Sequence, residues 1–507
     1  MAEAFLEARN ISKAYVGVQA LNEVSLTVAK GEVHCLVGEN GSGKSTLIKS
    51  IGGAVQPDSG EIIIDGTSFG SSISAIDSIR SGIEIIYQDL SLFPNLSVAE
   101  NISLNEMIEE RRRLTNWKRV REVAIHSLAQ LQEEIDVDMP LDRCSMAQRQ
   151  IVAISRALTK GARLIIMDEP TSAITADDVQ RLFRVVRRLN EDGVAMLFVS
   201  HKLDEVFQIA DTVTVLRDGK KVGDYEAKTL DEEKLTFLMS GQVLEYKPFT
   251  FDPETEGAPL LLETRGFSKE RQFHDVDLRI YGGEIVGLTG LVGSGRTELA
   301  LAIFGITRPD SGDLFINGSR VRIRGPEDAK RHGISYLPED RHGQGLFADQ
   351  TIADNIITTI VDRIKRFLGI IDQQKRDTTW RTWIDELKIK TPSAQHHVST
   401  LSGGNQQRVV LAKWLALEPK VFLIDGPTIG VDVVSKARIH DVIQDLAKSG
   451  MGVLLISDEV SEIMQVCSRA LVMRRGRIVA EYRDLQSVDE AEIARVVAER
   501  DDTEEAS

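Results

Sequence analysis

Val33-His34-Cys35-Leu36-Val37-Gly38-Glu39-Asn40-Gly41-Ser42-Gly43-Lys44-Ser45-Thr46-Leu47-Ile48 is the stretch on which the fold turns. Val33 to Val37 is a short, mostly apolar run ending at a glycine, the pattern of a strand buried on both faces of a parallel sheet. Next comes G-x-x-x-x-G-K-S at Gly38, Gly43, Lys44 and Ser45, which runs into an apolar helical pattern. Glycines let backbone N–H groups turn inward and approach phosphate oxygens that a Cβ would hold away. The helix that follows aims the positive end of its dipole at the same anion. Lys44 is placed to reach the β- and γ-phosphates, and the Ser45 hydroxyl to bind Mg²⁺. Gly38, Glu39, Asn40, Gly41, Ser42, Gly43, Lys44, Ser45 and Thr46 together are a candidate nucleotide-binding loop.

Composition sets the outer limits. The 507 residues suffice for at least two domains with cores of their own. No apolar run approaches the roughly 18 residues of a membrane span. MAEAFLEARN at the start lacks the layout of a signal peptide. A net charge of −16 argues against a nucleic-acid partner, which would select a basic face, and against adsorption to anionic lipid. Cys35, Cys144 and Cys467 stand far apart in no metal-binding spacing, as expected of reduced thiols in the cytosol.

The chain repeats itself. VHCLVGENGSGKST (33–46) returns as IVGLTGLVGSGRTE (285–298), and GEIIIDG (60–66) as GDLFING (312–318), both 252 residues on. CSMAQRQIVAISRAL (144–158), RLIIMDEPT (163–171) and MLFVSHKLDEV (196–206) return 257 residues on as LSGGNQQRVVLAKWL, KVFLIDGPT and VLLISDEVSEI. Five colinear matches mean two related domains. We place them at 1–243 and 258–500, with a proline-interrupted linker at 244–257 and an acidic tail at 501–507. The expected class is α/β. Each domain begins with alternating strands of an antiparallel β subdomain, continues into a parallel sheet with packed helices, and carries a helical insertion, at Ser97 to Arg143 and Thr351 to Thr400.

In the first half, Arg163 to Met167 is a second buried strand, delivering Asp168 and Glu169 at its carboxyl end. Beside a phosphate loop, such an Asp holds Mg²⁺ and the adjacent Glu169 takes a proton from the attacking water. A third strand, Ala195 to Val199, ends in Ser200-His201, with His201 a candidate donor to the γ-phosphate. Gln88, after the run IEIIY, can sense that phosphate through Mg²⁺ or water.

These features resemble the ATP-binding subunit of an ATP-binding-cassette (ABC) transporter, over nearly the whole chain. The most diagnostic motif is the family signature Leu401-Ser402-Gly403-Gly404-Asn405-Gln406-Gln407. The order of phosphate loop, Gln88, signature, Asp168-Glu169 and His201 fits as well. More narrowly, the chain resembles the double-cassette ATPases of bacterial importers for ribose, xylose, galactose and similar sugars. Gly290-Leu-Val-Gly293-Ser294-Gly295-Arg296-Thr297-Glu298 and Leu337-Pro338-Glu339-Asp340-Arg341 look like that group's second-cassette hallmarks. The resemblance implies ATP and Mg²⁺ as cofactors and Tyr15 as the aromatic that stacks on adenine, a pairing a flat ring makes with any base.

The family pairs each phosphate loop with the other cassette's signature, so that Ser402, Gly403 and Gly404 would face the nucleotide on the first loop. That site lacks nothing. In the other pairing Arg296 replaces lysine, Glu339 stands for Gln88, Gly426 for the general base Glu169, and Asp458 for His201. The opposing signature, Cys144-Ser145-Met146-Ala147-Gln148, has lost both glycines, and side chains at Met146 and Ala147 are expected to obstruct approach to phosphate. Gly290, Gly293, Ser294, Gly295, Arg296 and Thr297 remain candidate nucleotide contacts.

As partners, the resemblance implies two copies of a membrane permease and an extracytoplasmic sugar-binding protein, with this chain peripheral on the cytoplasmic face of the inner membrane. Docking segments are expected after Gln88 (Phe93, Pro94, Leu96) and after Glu339 (Leu346, Phe347), unless these residues only fill the core. The alternative from another class is a soluble double-cassette ATPase acting on the ribosome or DNA. Gly426, the acidic charge, the short linker and the solitary cysteines argue against it.

Overall fold

The computed structural model describes residues 3–15, 18–109, 115–171, 174, 176–200, 202–243, 248–253, 257–366 and 369–499. The chain divides into two compact units, Met1–Leu244 and Glu245–Ser507. The expected tail at 501–507, and residues 244–247 and 254–256 of the expected linker, lie outside the described residues.

In the first unit all five residues of the strand Val33–Val37 are buried. It runs parallel between Ala195–Val199 and Thr212–Arg217. Cys35 and Val37 join a cluster with Ile151 and Ile154 of the helix Met146–Thr159. Leu36, pointing the other way, joins Leu47, Ile48 and Ile51 of the helix Lys44–Ile51. Apolar side chains at successive positions are thus used on both faces, which is why the run has no polar alternation. Across the six-stranded sheet the order is Lys220–Glu226, Thr212–Arg217, Val33–Val37, Ala195–Val199, Leu164–Asp168, Ile83–Ile86. Leu36 and Asp168 both pair with the neighbourhood of Val199, so three strand ends open at one edge of the sheet, where open α/β sheets place their ligands.

A second sheet, antiparallel, has the order Val18–Ala29, Ala4–Tyr15, Ser59–Ile64, Thr67–Ser68. Its inward residues Leu6, Leu21, Val24, Leu26 and Ile62 cover the helix Lys44–Ile51 from outside. The expected insertion is helical at Val98–Glu109 and Trp117–Gln130. Its Val98, Ile102, Val120, Ala124 and Leu128 share the core cluster of the sheet, so the insertion is packed as firmly as the rest.

The second unit repeats this plan. Its six-stranded sheet runs Arg477–Tyr482, Arg469–Arg474, Ile285–Thr289, Gly452–Ile456, Val421–Asp425, Ile334–Leu337, and its antiparallel sheet Phe273–Tyr281, Leu260–Lys269, Ser311–Ile316, Ser319–Val321. One strand edge differs from expectation. The strand read as Arg163 to Met167 is Leu164–Asp168, because Arg163 is exposed over the Phe5 ring and paired with Asp65, while Asp168 itself stays in register with Val199.

Candidate functional site

The first loop is built around glycines that cannot be replaced. A Cβ on Gly38, at φ +154°, would stand 2.2 Å from the Leu216 carbonyl oxygen, and one on Gly43, at φ +103°, 2.5 Å from that of Ala20. Gly43 caps the helix Lys44–Ile51 without any side-chain cap, so its first N–H groups face the loop. The buried Lys44 ammonium is folded back, donating to the Gly38 and Glu39 carbonyls at 2.7 and 2.9 Å. Ser42 Oγ is buried with no hydrogen-bond partner among the described residues, and Ser45 is exposed.

Asp168 and Glu169 stand at the adjoining strand end. Burial, then the neighbouring Glu169 charge, raises the Asp168 carboxyl above its ordinary pKa, with Lys44 and Lys49 opposing. Glu169 sits at φ +49°, in the left-handed region that glycine favours, with its N–H donating to the Val199 carbonyl at 3.0 Å. A glutamate held there carries local strain, the kind that persists at working sites. The exit of that strand is braced from below. Thr171 and Ser200 hydroxyls donate to buried Glu205 at 2.7 and 2.9 Å, and Gln150 donates to the Pro170 carbonyl at 2.9 Å. Gln88 is exposed, Tyr15 is exposed at the end of its strand, and His201 lies outside the described residues.

The second loop keeps the backbone cradle and changes what fills it. Gly290, at φ +155°, would place a Cβ 2.1 Å from the Met473 carbonyl oxygen, and Ser294 Oγ is buried without a partner among the described residues, matching Gly38 and Ser42. Gly293 is exposed, and Gly295 caps the helix Arg296–Phe304. Arg296, however, leaves the loop. Its buried Nη1 donates to the Ser457 carbonyl at 2.7 Å, at the end of the strand Gly452–Ile456. A planar fork on a longer stem reaches an oxygen that the compact lysine ammonium of the first unit does not seek.

Asp425, the counterpart of Asp168, is 3% exposed. Burial pushes its carboxyl up to about 6, helped by Glu339 and opposed by the Thr297 hydroxyl, Arg296 and Tyr336. Tyr336 Oη donates to Asp425 Oδ2 at 3.3 Å. Tyr336 occupies the register of Ile85 in the first unit. Sequence reasoning passed over it, since a tyrosine in the strand I-S-Y-L is ordinary β composition. Gly426 repeats the backbone of Glu169, with φ +54° and its N–H donating to the Ile456 carbonyl at 2.9 Å, but has no carboxylate. Glu339 and Asp458 are exposed. Beneath this strand end Glu462 accepts from Thr428, Ser457 and His440, all within 2.7 Å. The histidine stands where the first unit has the aromatic Phe183, so this buried histidine–carboxylate hydrogen bond is particular to the second unit.

The signature helices also differ. Ser145 closes its own capping box, accepting from Gln148 N at 3.2 Å while Gln148 Oε1 accepts from Ser145 N at 2.9 Å. Ser402 makes no such cap on the helix Gly403–Leu415; its Oγ accepts instead from Asn405 Nδ2 at 2.9 Å. Ala147, expected to obstruct approach to phosphate, is 4% exposed. At the matching place a Cβ on Gly404 would meet Ser435 Oγ at 2.3 Å, so that glycine answers a packing demand. Met146 is half-buried against the same core.

Of the segments weighed as docking surfaces or core filler, Leu346 is buried and Leu96 half-buried, while Phe93 is 50% and Phe347 52% exposed. Each phenylalanine N–H donates at 2.8 Å to a buried asparagine, Asn101 or Asn355. The two loops are held alike, with an aromatic ring presented outward from each. The three cysteines are buried and unpaired, and no group of metal-ligating side chains occurs among the described residues.

The family described as ABC transporter matches at residues 21–172 and again at 273–429. Ribose import ATP-binding protein RbsA 1 of Agrobacterium fabrum is 42% identical over 477 residues, 94% of this chain and 93% of its own length. Ribose import ATP-binding protein RbsA 2 of Rubrobacter xylanophilus is 43% identical over 497 residues, 97% of this chain and 94% of its own length. A putative ribose/galactose/methyl galactoside import ATP-binding protein of Geobacillus kaustophilus is 40% identical over 490 residues, 96% of each. With a cassette matched in each half and relatives that run nearly end to end with it, the chain belongs to the ABC transporter family, as an ATP-hydrolysing subunit that carries two ATP-binding cassettes.

Proposed function

We propose that this ATPase powers the import of a monosaccharide of the ribose and galactose class, with turnover confined to the first loop. The observation that carries the asymmetry is one backbone conformation used twice, holding a carboxylate at Glu169 and nothing at Gly426. The sugar class rests on the relatives, since no residue of this chain would touch the substrate.

In this reading Lys44 exchanges the Gly38 and Glu39 carbonyls for nucleotide phosphates, and the loop N–H groups complete the cradle. Tyr15 stacks on adenine. Ser45, Gln88 and Asp168 form an all-oxygen donor set at one sheet edge, which suits a hard cation, and they would hold Mg²⁺. That ion, when bound, neutralises charge on the phosphate oxygens. Glu169 takes the proton of the attacking water on its carboxylate, and His201 donates to the γ-phosphate. Ser402, Gly403 and Gly404 serve the same nucleotide; support comes from the helix end that Ser402 leaves uncapped, against the closed box at Ser145. Phe93 and Phe347 are the contacts offered to permease subunits, present in two copies and working with an extracytoplasmic sugar-binding protein. No helix among the described residues is long and apolar enough to cross a membrane; the relatives' import role is what supports a peripheral place on the cytoplasmic face.

The test is Glu169→Gln. Turnover should fall by about 10²–10⁴-fold, the usual worth of a positioned base, while ATP binding measured by equilibrium dialysis persists. A loss of only a few fold would remove Glu169 from that role.

A further inference from the structure

The first unit has a cleft of about 460 Å³ at the end of its sheet away from the phosphate loop, where the strand Val33–Val37 begins. Val33, Phe207, Ile209 and Leu230 give it apolar walls, and the exposed Arg187 and Lys228 give it two cations. Asp211, the one carboxylate among its lining residues, already accepts from the Val33 N–H at 2.9 Å. Asn190 also lines the cleft, and its Nδ2 is buried with no hydrogen-bond partner among the described residues. A buried donor without an acceptor is costly, and here it borders a space large enough to hold one.

The second unit covers the matching place with its own chain. The frame is the same: Gln444 Nε2 donates to the Gln465 carbonyl at 3.4 Å, as Arg187 donates to that of Gln208 at 2.7 Å. A Cβ on Gly283 would stand 2.9 Å from the Phe251 ring and 3.7 Å from the Ala447 carbonyl oxygen. On Gly31, its counterpart, a Cβ would meet the Asn190 carbonyl oxygen at 3.8 Å and Gly193 Cα at 3.7 Å, but no ring. Phe249 packs on the cluster that holds Ile285, Ala447 and Val466, the counterparts of Val33, Asn190 and Ile209. Pro248, Thr250 and Asp252 are exposed, whereas Phe249 and Phe251 are half-buried, the alternation of an extended segment laid down on one face. Where this covered place has the neutral Gln444 and the methyl of Ala447, the open one offers a cation at Arg187 and an unused donor at Asn190.

We infer that the cleft of the first cassette receives an extended segment of a partner protein, with two aromatic residues two positions apart and an acidic residue after them, as Phe249-Thr250-Phe251-Asp252 covers the second cassette. The rings fill the apolar walls and the space over Gly31. Asn190 Nδ2 donates to a carbonyl of the segment, and Arg187 and Lys228 face its carboxylate. The inference stands apart from the question of which loop turns over ATP.

The experiment titrates the full-length chain into a fluorescein-labelled peptide, Pro-Phe-Thr-Phe-Asp-Pro, and follows fluorescence anisotropy. Saturable binding at about 10–100 μM is expected, weakened about tenfold or more when both phenylalanines of the peptide are alanine. Asn190→Phe, which puts a ring of the chain's own beside Gly31, should abolish binding, and Arg187→Glu should weaken it about three- to tenfold. Circular dichroism checks that Asn190→Phe is folded; if it is not, the surface change Arg187→Glu decides alone. No saturation up to about 1 mM, or equal affinity for the alanine peptide, would overturn the inference. So would binding that survives unchanged in a folded Asn190→Phe chain or in Arg187→Glu, since the peptide would then sit elsewhere.

Discussion

The two phosphate loops share a backbone and differ in where one cation goes. Lys44 lies across its own loop, donating to two of its carbonyls, while Arg296 crosses to Ser457, 161 residues away in sequence. The glycine geometry of the two loops is the same within a few degrees and tenths of an ångström. Conserving a cradle therefore says little about what it does. The two loops differ in side chains at three places, Lys44 or Arg296, Glu169 or Gly426, and Ile85 or Tyr336.

The largest expected effect breaks this contrast directly. Lys44→Ala should lower ATP turnover by roughly 10²–10³-fold, the usual worth of one preorganised charge at a transition state. Arg296→Ala should lower it by less than about fivefold, because its guanidinium is committed to the strand end of its own unit. Steady-state phosphate release from both variants decides this; equal losses would mean that both loops turn over.

A second effect sits beneath the strand ends. Burial pushes the Glu462 carboxyl up, but the hydrogen bond from His440, the Lys436 charge and Ser457 outweigh it and hold it at about 2. A folded-state value below the ordinary 4.5 means stability that is complete above pH 4.5 and is lost as pH falls from there through about 2. The shift corresponds to about 3 kcal/mol. His440→Phe, which copies Phe183 of the first unit, takes away one of three donors to this carboxylate, leaving Thr428 and Ser457, and should cost about 1–3 kcal/mol at neutral pH. The cost should shrink as pH drops toward 2. Denaturant unfolding followed by fluorescence checks this, since Trp380, Trp383 and Trp414 all lie in the second unit. A cost independent of pH would mean that packing, and not the hydrogen bond to the Glu462 carboxylate, is what His440 contributes.

The smallest effect sharpens the signature comparison. Gly404→Ala places a methyl on Ser435 and should cost about 1–3 kcal/mol by overpacking. Ala147→Gly at the matching place should cost only about 0.5–1 kcal/mol, the helix penalty of glycine. Thermal unfolding of the two variants ranks them, and a reversed ranking would contradict the buried placement of Ala147.

Much of this was legible in the primary structure, for definite reasons. The run at 33–37 is apolar at each position but one because both faces of the strand are covered, and the one polar residue, His34, is satisfied by Glu32 and Thr214. The loops were legible because glycine spacing is a demand of backbone geometry. The insertions were legible as helices, since strand patterning lapses there and charged helical sequence takes over, both of them local features of the chain. The destination of Arg296, the donor on Asp425 and the burial of Ala147 were not, because each depends on atoms brought close from a distant segment. Phe93 and Phe347 could be read as core or as surface until their exposure was known.

By itself, the order of residues determined that there are two copies of one ATP-binding cassette, and that the position filled by Glu169 in the first is filled by Gly426 in the second. Those are properties of local pattern and of side-chain chemistry, which travel with the residue wherever the chain puts it. Only tertiary structure decided that the second loop's cation is tied to a strand end and that its aspartate is enclosed by hydroxyls. Hydrogen bonding and burial act over a few ångströms of space, and separation along the chain does not measure that distance.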